Sequence, residues 1–420
     1  MAFRAPDGFI RVACEPPGGT PLVVIATLAA LTAVAPFSID MYLSAFPAMA
    51  RDLHTSPSSI QLTMTAFLIG LASGQLVIGP LSDRCGRRPP LIAGSAICLG
   101  VSTLCSVAPI VEILIGLRFV QGFASAAGVV IARAIIADRS HGRVALKVFS
   151  NMTLMTVLAP IAAPILGGAV VTAFGWRAVF AVLAVLNLST LLGVVLFVGE
   201  SLPRALRRPD GLKALAAGSY LVLINRRYLG YTAASAFISA AMFGFVSASP
   251  FVLQDIVGLS TAAYSSAFAA CSLAVALGSV VARGTVSTVA PRRVMEGGVT
   301  ALVVITALIL CTVTIGGVHP VSTIALMGCF MAGVGFLYGH SAMLATTQVR
   351  HAAGTGSAIF GFAQYTAGAV ASPLVGLAGH SSASPMGLVM FGATSAAAVA
   401  LFITRRSDGG DGYRRKPLRN

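Results

Sequence analysis

Apolar residues in this chain come in long runs, broken at fairly regular intervals by short polar segments rich in Arg, Gly and Pro. A helix that crosses a hydrocarbon core of ~30 Å needs about 20 residues, and most of these runs reach that length. They predict helices over 22–47, 59–81, 90–108, 110–136, 147–173 and 177–198, then over 228–254, 261–283, 293–316, 319–346, 354–379 and 384–404. Between the two sets lies the longest polar stretch, Gly199 to Arg227, with Arg204, Arg207, Arg208, Lys213, Arg226 and Arg227. The pattern divides the chain into an N-terminal tail over 1–20, a six-helix half over 21–198, a basic linker over 199–227, a second half over 228–404 and a C-terminal tail over 405–420. The first run begins at Pro21, outlasts a signal-peptide core and ends without a small-residue cleavage pattern, so it is expected to stay as a helix.

Composition makes lipid the solvent. Of 420 residues 56% are hydrophobic and 10% charged, and the mean hydropathy is +0.89. So few charges cannot clothe a water-facing surface, for which about a quarter of the residues is usual. The expectation is an all-α integral membrane protein with twelve transmembrane helices. A net charge of +15 suggests nucleic acid only until its distribution is seen. If the N-terminus is cytoplasmic, 25 of the 28 Lys and Arg fall in the tails, the linker and the inner loops, among them Arg133, Arg139, Arg143 and Lys147. Arg51 and Arg177 are left outside, and Arg118 lies within a helix. By the positive-inside rule both termini face the cytoplasm, the protein sits in the cytoplasmic membrane, and no nucleic acid partner is implied. The seven cysteines show no paired spacing and read as small apolar filler, with no metal site expected.

The two halves echo each other. Aligning GQLVIGPLSDRCGRRPP from Gly74 with GSVVARGTVSTVAPRRV from Gly278 pairs Arg88 with Arg292 between the second and third helices of each half. Parallel repeats of this kind, with a site near the midplane between them, belong to secondary transporters. The 44 glycines include close helical pairs such as Gly70/Gly74 and Gly335/Gly339, which let helix backbones approach in lipid.

Four segments carry chemistry. After the second helix comes GPLSDRCGRRPPL, in which Asp83 sits at a helix C-terminal end that disfavours a carboxylate unless it pairs with arginine or caps another helix. This segment, with Gly79, Asp83, Arg84, Gly86, Arg87 and Arg88, resembles motif A of the major facilitator superfamily, in the form found in drug/proton antiporters. The resemblance implies that Asp83 helps latch the halves in an outward-open state. In the fourth helix GLRFVQGFASAAG places an arginine where it needs a partner or water; Arg118, Gln121 and Gly122 resemble motif B. SIDMYLSAFP in the first helix puts Asp40 well inside an apolar run and resembles the signature of the bicyclomycin/chloramphenicol-resistance (Bcr/CflA-type) exporters, with Ser44 where that signature has a proline. LAPIAAPILGG in the fifth helix, with Pro160, Pro164, Gly167 and Gly168, resembles the antiporter motif C, which implies export.

The second half is less informative. His340 reads as a proton site or, more simply, as a hydrogen-bonded packing histidine. Tyr42, Gln121, Phe243, Tyr338, His340 and Gln364 are candidate cavity residues, and so, among the aromatics, are Phe37, Phe67, Phe245, Phe336 and Tyr365; plain helix packing is the simpler reading of each aromatic. Asp40 and Arg118 lie at a similar depth on antiparallel helices and are expected to act as one coupled proton switch. No catalytic cluster and no Walker A pattern occurs, so neither an enzyme nor direct use of ATP is expected, and no cofactor is implied. The resemblance implies the major facilitator fold and a monomeric antiporter that exports small hydrophobic drugs, of phenicol, bicyclomycin or multidrug type, against protons. The alternative is a proton-coupled exporter of an endogenous metabolite, such as a sugar or amino-acid derivative, on the same fold.

Overall fold

The computed structural model describes residues 21–139, 142–207, 211–285, 289–315, 319–349, 352–377 and 382–411. The N-terminal tail, the end of the C-terminal tail, Arg208 and Arg350 lie outside them. The first apolar run forms α1 (Leu22–Asp40), a 3-10 turn (Leu43–Ala45) and α2 (Phe46–Asp52). The next five form α3 (Pro57–Cys85), α4 (Arg88–Ser106), α5 (Val111–Arg139), α6 (Gly142–Phe174) and α7 (Trp176–Phe197). In the linker lies α8 (Gly211–Ile224). The second half comprises α9 (Arg226–Pro250), which runs on into a π-helical turn (Phe251–Ile256), α10 (Thr261–Thr285), α11 (Pro291–Thr314), α12 (Pro320–Thr347), α13 (Ala353–Leu374) and α14 (Ser384–Asp411). Eleven of these spans, counting α1 with α2 and α9 with its π turn, are long and apolar enough to cross a membrane. The twelfth by position is α13, whose Gly, Ser, Thr, Gln and Tyr residues make it less apolar.

Three differences from the expected pattern have physical causes. The linker holds a helix, α8, which is too short to span and lies against α3 and α13. The eleventh span ends at Leu374, one residue after Pro373. Arg133, counted above as a loop charge, is helical and lies before the last turns of α5.

Each half is held by the same packing pattern. α3 lies on α5 as α10 lies on α12, α4 on α7 as α11 on α14, and α4 on α5 as α11 on α12. Glycines set the closest approaches. A side chain at Gly122 would strike the Phe67 backbone of α3, and one at Gly74 the Phe123 carbonyl of α5. In the second half Gly335 meets the backbone of Val275 and Gly278 that of Ala332. Reciprocal glycine contacts in equivalent helix pairs explain why Gly74 and Gly278 align.

The halves meet where α3 packs on α13 and α6 on α10. Polar bonds join them at the end away from the arginine-rich loops. There Gln61 donates to the Ser247 carbonyl (3.2 Å), Ser58 to the Pro373 carbonyl (3.1 Å), and Thr65 to the Ala369 carbonyl (2.9 Å). Ser372 donates to the Gln61 carbonyl at 3.4 Å, and Arg51 faces Asp255 at 3.6 Å. This end of the bundle is closed by bonds that cross between the halves.

Candidate functional site

Among the described residues Asp40 is the only buried carboxylate and Arg118 the only buried guanidinium. Both owe their place to the interruption of the first helix. α1 ends at Asp40, so the carbonyls of its last turn run out of intrahelical donors. One of them, Ser38, accepts from Arg118 Nη2 at 2.8 Å. Beyond the break the carbonyl of Ser44 accepts from Gln254 Nε2, across the half interface, at 3.2 Å. Irregular backbone at membrane depth is tolerated where protein buries it and supplies such donors. The chain bends here with Ser44 in the position of a proline, so the 3-10 turn and not a ring sets the bend.

Arg118 is the centre of a polar string through four helices. Its Nη1 donates to Gln121 Oε1, Gln121 Nε2 donates to Ser102 Oγ at 2.7 Å, and Asn187 Nδ2 reaches the same hydroxyl at 3.2 Å. Three rings enclose the guanidinium: Tyr42 and Phe67, each 4.3 Å from it, and Phe180 at 5.9 Å. Cation–π attraction is strongest in such a desolvated place. Ser102 and Asn187 were not found from the sequence, because a serine or asparagine in an apolar run is ordinary until its partner is known. Tyr42 and Gln121, candidates for the cavity wall, are fully buried around Arg118.

Asp40 and Arg118, expected to act as one coupled switch, lie on the same stretch of the bundle without touching through a salt bridge. No ion pair joins them, and Asp40 has no hydrogen bond among the described residues. The arginine instead grips the backbone two residues before the acid. The Asp40 carboxylate lies within electrostatic range of the hydroxyls of Tyr264 and Tyr365, both on the second half. The remaining cavity candidates split. Gln364 donates to Ser235 at 2.9 Å, the Tyr338 hydroxyl meets Ser239 at 3.1 Å, and Phe243 packs on Tyr365 at 6.1 Å. His340 is buried apart from them, with Nδ1 on the Phe336 carbonyl (3.0 Å) and Nε2 on Thr285 (3.3 Å), as the packing reading expects.

The antiporter-like helix α6 touches this site directly. Pro160 and Pro164 are both inside it. A side chain at Gly167 would strike the Met41 carbonyl in the α1 break, and one at Gly168 would strike Ser265 of α10. Two adjacent glycines therefore let one helix press on the broken turn and on the other half together.

The loop after α3 forms a second cluster. Arg87 binds Asp83 and, at 3.1 Å, Asp138 of α5, while its backbone N–H donates to Glu200 Oε1 at 2.8 Å. Arg88 Nη2 donates to the Val195 carbonyl at 2.8 Å, and Arg84 is exposed. Gly86 has φ +98° and faces Glu200 so closely that a side chain has no room. Gly79 accepts from the Ser82 hydroxyl at 2.8 Å. Burial works against the charge of Glu200, but N–H groups of Leu202, Arg87 and Arg88 and the Arg207 guanidinium outweigh it and hold its carboxyl below the ordinary value. Every acid here belongs to the first half or the start of the linker, so in this structure Asp83 bridges within its own half. Asp138 and Glu200 were not singled out in the sequence because they lie far from the loop they bind.

Comparison with known proteins agrees with this architecture. Residues 28–373 match the Major Facilitator Superfamily profile. The chain is 34% identical to the Uncharacterized MFS-type transporter YdgK of Bacillus subtilis, over 92% of this chain and 96% of that protein. It is 31% identical to the Bicyclomycin resistance protein homolog of Haemophilus influenzae (87% and 91% covered) and 29% identical to Multidrug resistance protein MdtL of Escherichia coli O157:H7 (80% and 83%). Among solved structures, a bacterial homolog of the human lysosomal transporter Spinster, in an inward-facing and unoccupied conformation, superposes with a TM-score of 0.74 at 14% identity, over 96% of this chain and all of that one. A D-xylose-proton symporter gives 0.70 at 15% identity, covering 91% and 97%. At these identities the structures attest the fold alone. The chain is a multi-pass membrane transporter of the major facilitator superfamily.

Proposed function

We propose that this transporter exports small hydrophobic drugs, of phenicol, bicyclomycin or multidrug type, in exchange for protons, with Asp40 as the proton carrier. The observation that carries the reading is the position of Asp40: among the described residues the one buried carboxylate, without an ion-pair partner there, at the broken turn where α1, α6, α9 and α10 converge. Gain or loss of its proton changes the charge beside the turn where the first apolar run meets the other half. Arg118 is then a positioning residue, which fixes the Ser38 carbonyl and with it the turn that presents Asp40. Both termini are assigned to the cytoplasmic side of the inner membrane on the arginine distribution. Asp83 is assigned to a latch that engages across the halves when the opposite end opens. Kinship with proteins named for bicyclomycin and multidrug resistance supports the substrate class.

In proteoliposomes with an imposed proton gradient, Asp40→Asn should lose uphill drug transport by at least about 100-fold while still binding substrate. Substrate-induced proton release, measured on purified protein over a panel of antibiotics and metabolites, should vanish with it. Uphill transport at the wild-type rate in Asp40→Asn sinks the assignment.

A further inference from the structure

Two arginines, Arg51 and Arg177, stand at the end of the bundle away from the arginine-rich loops, where topology calls for no positive charge. Both line an open cavity of about 560 Å³, with His54, Phe174 and Trp176 among its other walls. That volume falls within the ~300–1,000 Å³ of ordinary small-molecule sites. The cavity's place follows from three helix ends: α2 stops at Asp52, α6 stops at Phe174, and the turn at Gly175 (φ +80°) starts α7 at Trp176. Where spans end, hydrocarbon gives way to headgroups and aromatic residues collect. Phe174 is 78% exposed there, and the transport reading has no use for it.

The charges in this cavity are unevenly committed. Arg177 donates to Asp52 and lies over the Trp176 ring at 4.1 Å, while Trp176 Nε1 donates to the same carboxylate oxygen at 2.9 Å. Asp52 is thus neutralised and Arg177 held in place. Arg51 is not. Its guanidinium makes no hydrogen bond among the described residues, and Asp255, which is no part of the cavity wall, faces it at 3.6 Å, beyond hydrogen-bond length. The His54 ring likewise makes no hydrogen bond among the described residues. A planar fork of N–H donors and an imidazole therefore line the cavity with no protein acceptor bonded to them, a pairing suited to the oxygens of a phosphate. A rim ion pair alone accounts for Arg177 and leaves Arg51, His54 and the exposed Phe174 unexplained.

We propose that this cavity binds an anionic phospholipid, with the lipid phosphate on Arg51 and His54 and an acyl chain along Phe174. A lipid fits better than a free anion because the cavity lies at the level of the helix ends and carries an exposed apolar residue at its wall. Neither Asp40 nor Arg118 lines it, so the site is separate from the proton-coupling residues and does not depend on which molecule is exported.

Trp176 is the only tryptophan of the chain and part of the cavity wall, so its fluorescence reads the site. The intact transporter is reconstituted in phosphatidylcholine bilayers that contain a rising fraction of phosphatidylglycerol brominated near the headgroup end of one acyl chain, or of phosphatidylcholine brominated in the same way. At low mole fraction the phosphatidylglycerol should quench more strongly, as a preference of about fivefold, the effect of one basic residue near a membrane surface. Arg51→Gln together with His54→Gln should bring the two curves together without changing quenching by phosphatidylcholine, since both positions are exposed; Arg51→Lys should keep most of the preference. Coincident curves in the wild type, or a preference that survives the double substitution, overturn the site. Inorganic phosphate should reduce the preference no more than chloride at equal ionic strength. Loss of the preference in phosphate alone would make this a site for the free anion and overturn the lipid assignment.

Discussion

At the scale of single residues, the buried arginine is held from several sides. Arg118 satisfies the Ser38 carbonyl and Gln121 Oε1 at once and fills the space among three rings. Arg118→Met leaves two buried acceptors without donors, each worth about 1–3 kcal/mol. We expect a loss of about 3 kcal/mol in stability, seen as a lower melting temperature in detergent. Arg118→Lys should recover less than half, because an ammonium cannot reach both acceptors in the planar fork that guanidinium offers. A melting temperature unchanged in Arg118→Met would mean that water replaces the guanidinium at no cost. Glu200 makes the opposite kind of case, an accessible group whose effect depends on pH. Its carboxyl is held below the ordinary glutamate value of 4.5, so the ion stabilises the fold in full above that value and less as pH falls through its folded value. Glu200→Gln should therefore destabilise near neutrality, and the gap to wild type should close below about pH 4.5. Thermal unfolding across pH checks this; a gap that stays constant rejects it.

At the scale of helices, most of the plan was legible because membrane spans write themselves as long apolar runs, and the observed ends lie within a few residues of the expected ones for most helices. What was hidden shares one cause: at a single position, an apolar run does not say which side it faces or where its backbone breaks. The interruption at Asp40 has no proline in the turn itself, and α8 is too short to register as a span. Arg118 was found as an anomaly in an apolar helix, yet its partner is a backbone carbonyl, which no side-chain pattern reveals. Glycine positions show the same limit. Gly100 and Gly167 look alike in sequence, both helical and both in apolar runs. Nothing lies within 4 Å of a side chain at Gly100, whereas one at Gly167 strikes the Met41 carbonyl beside Asp40. Gly100→Ala should be neutral or stabilising by up to about 1 kcal/mol through helix propensity. Gly167→Ala should cost about 1–3 kcal/mol by overpacking and slow transport as well, since it pushes on the turn that holds the acid. Similar effects of the two substitutions on melting temperature and transport rate would show that the α6–α1 contact yields freely.

At the scale of the whole molecule, the two ends of the bundle are built differently, and that difference sets the conformational balance. At the arginine-rich end the strong bonds stay within one half: Asp83, Arg87, Asp138 and Glu200 tie α3, α5 and the linker together, and among the described residues they make no hydrogen bond or ion pair with the second half. At the other end the bonds cross. Gln61, Ser247 and Ser372 are fully buried there and bonded to one another, with Thr65 and Ser58 reaching the carbonyls of α13. Arg51 and Asp255 add a rim pair, but Arg51 is 71% exposed and such pairs contribute little. Opening this end must break the buried bonds, while opening the other breaks none of those in the charged cluster. The clasp is not perfect, since Gln61 Oε1 is buried without a partner, so it favours closure without locking it. If Gln61 contributes about 1 kcal/mol to the closed form, Gln61→Ala shifts the equilibrium toward opening roughly fivefold. In nanodiscs, backbone hydrogen exchange should then speed up severalfold over residues 57–65 and 365–376, which carry the clasp, and stay unchanged over 80–90, where the bonds are internal to one half. Faster exchange at both ends would indicate general destabilisation. No change at the clasp would mean that apolar packing of α3 on α13, and not the polar bonds, keeps this end shut.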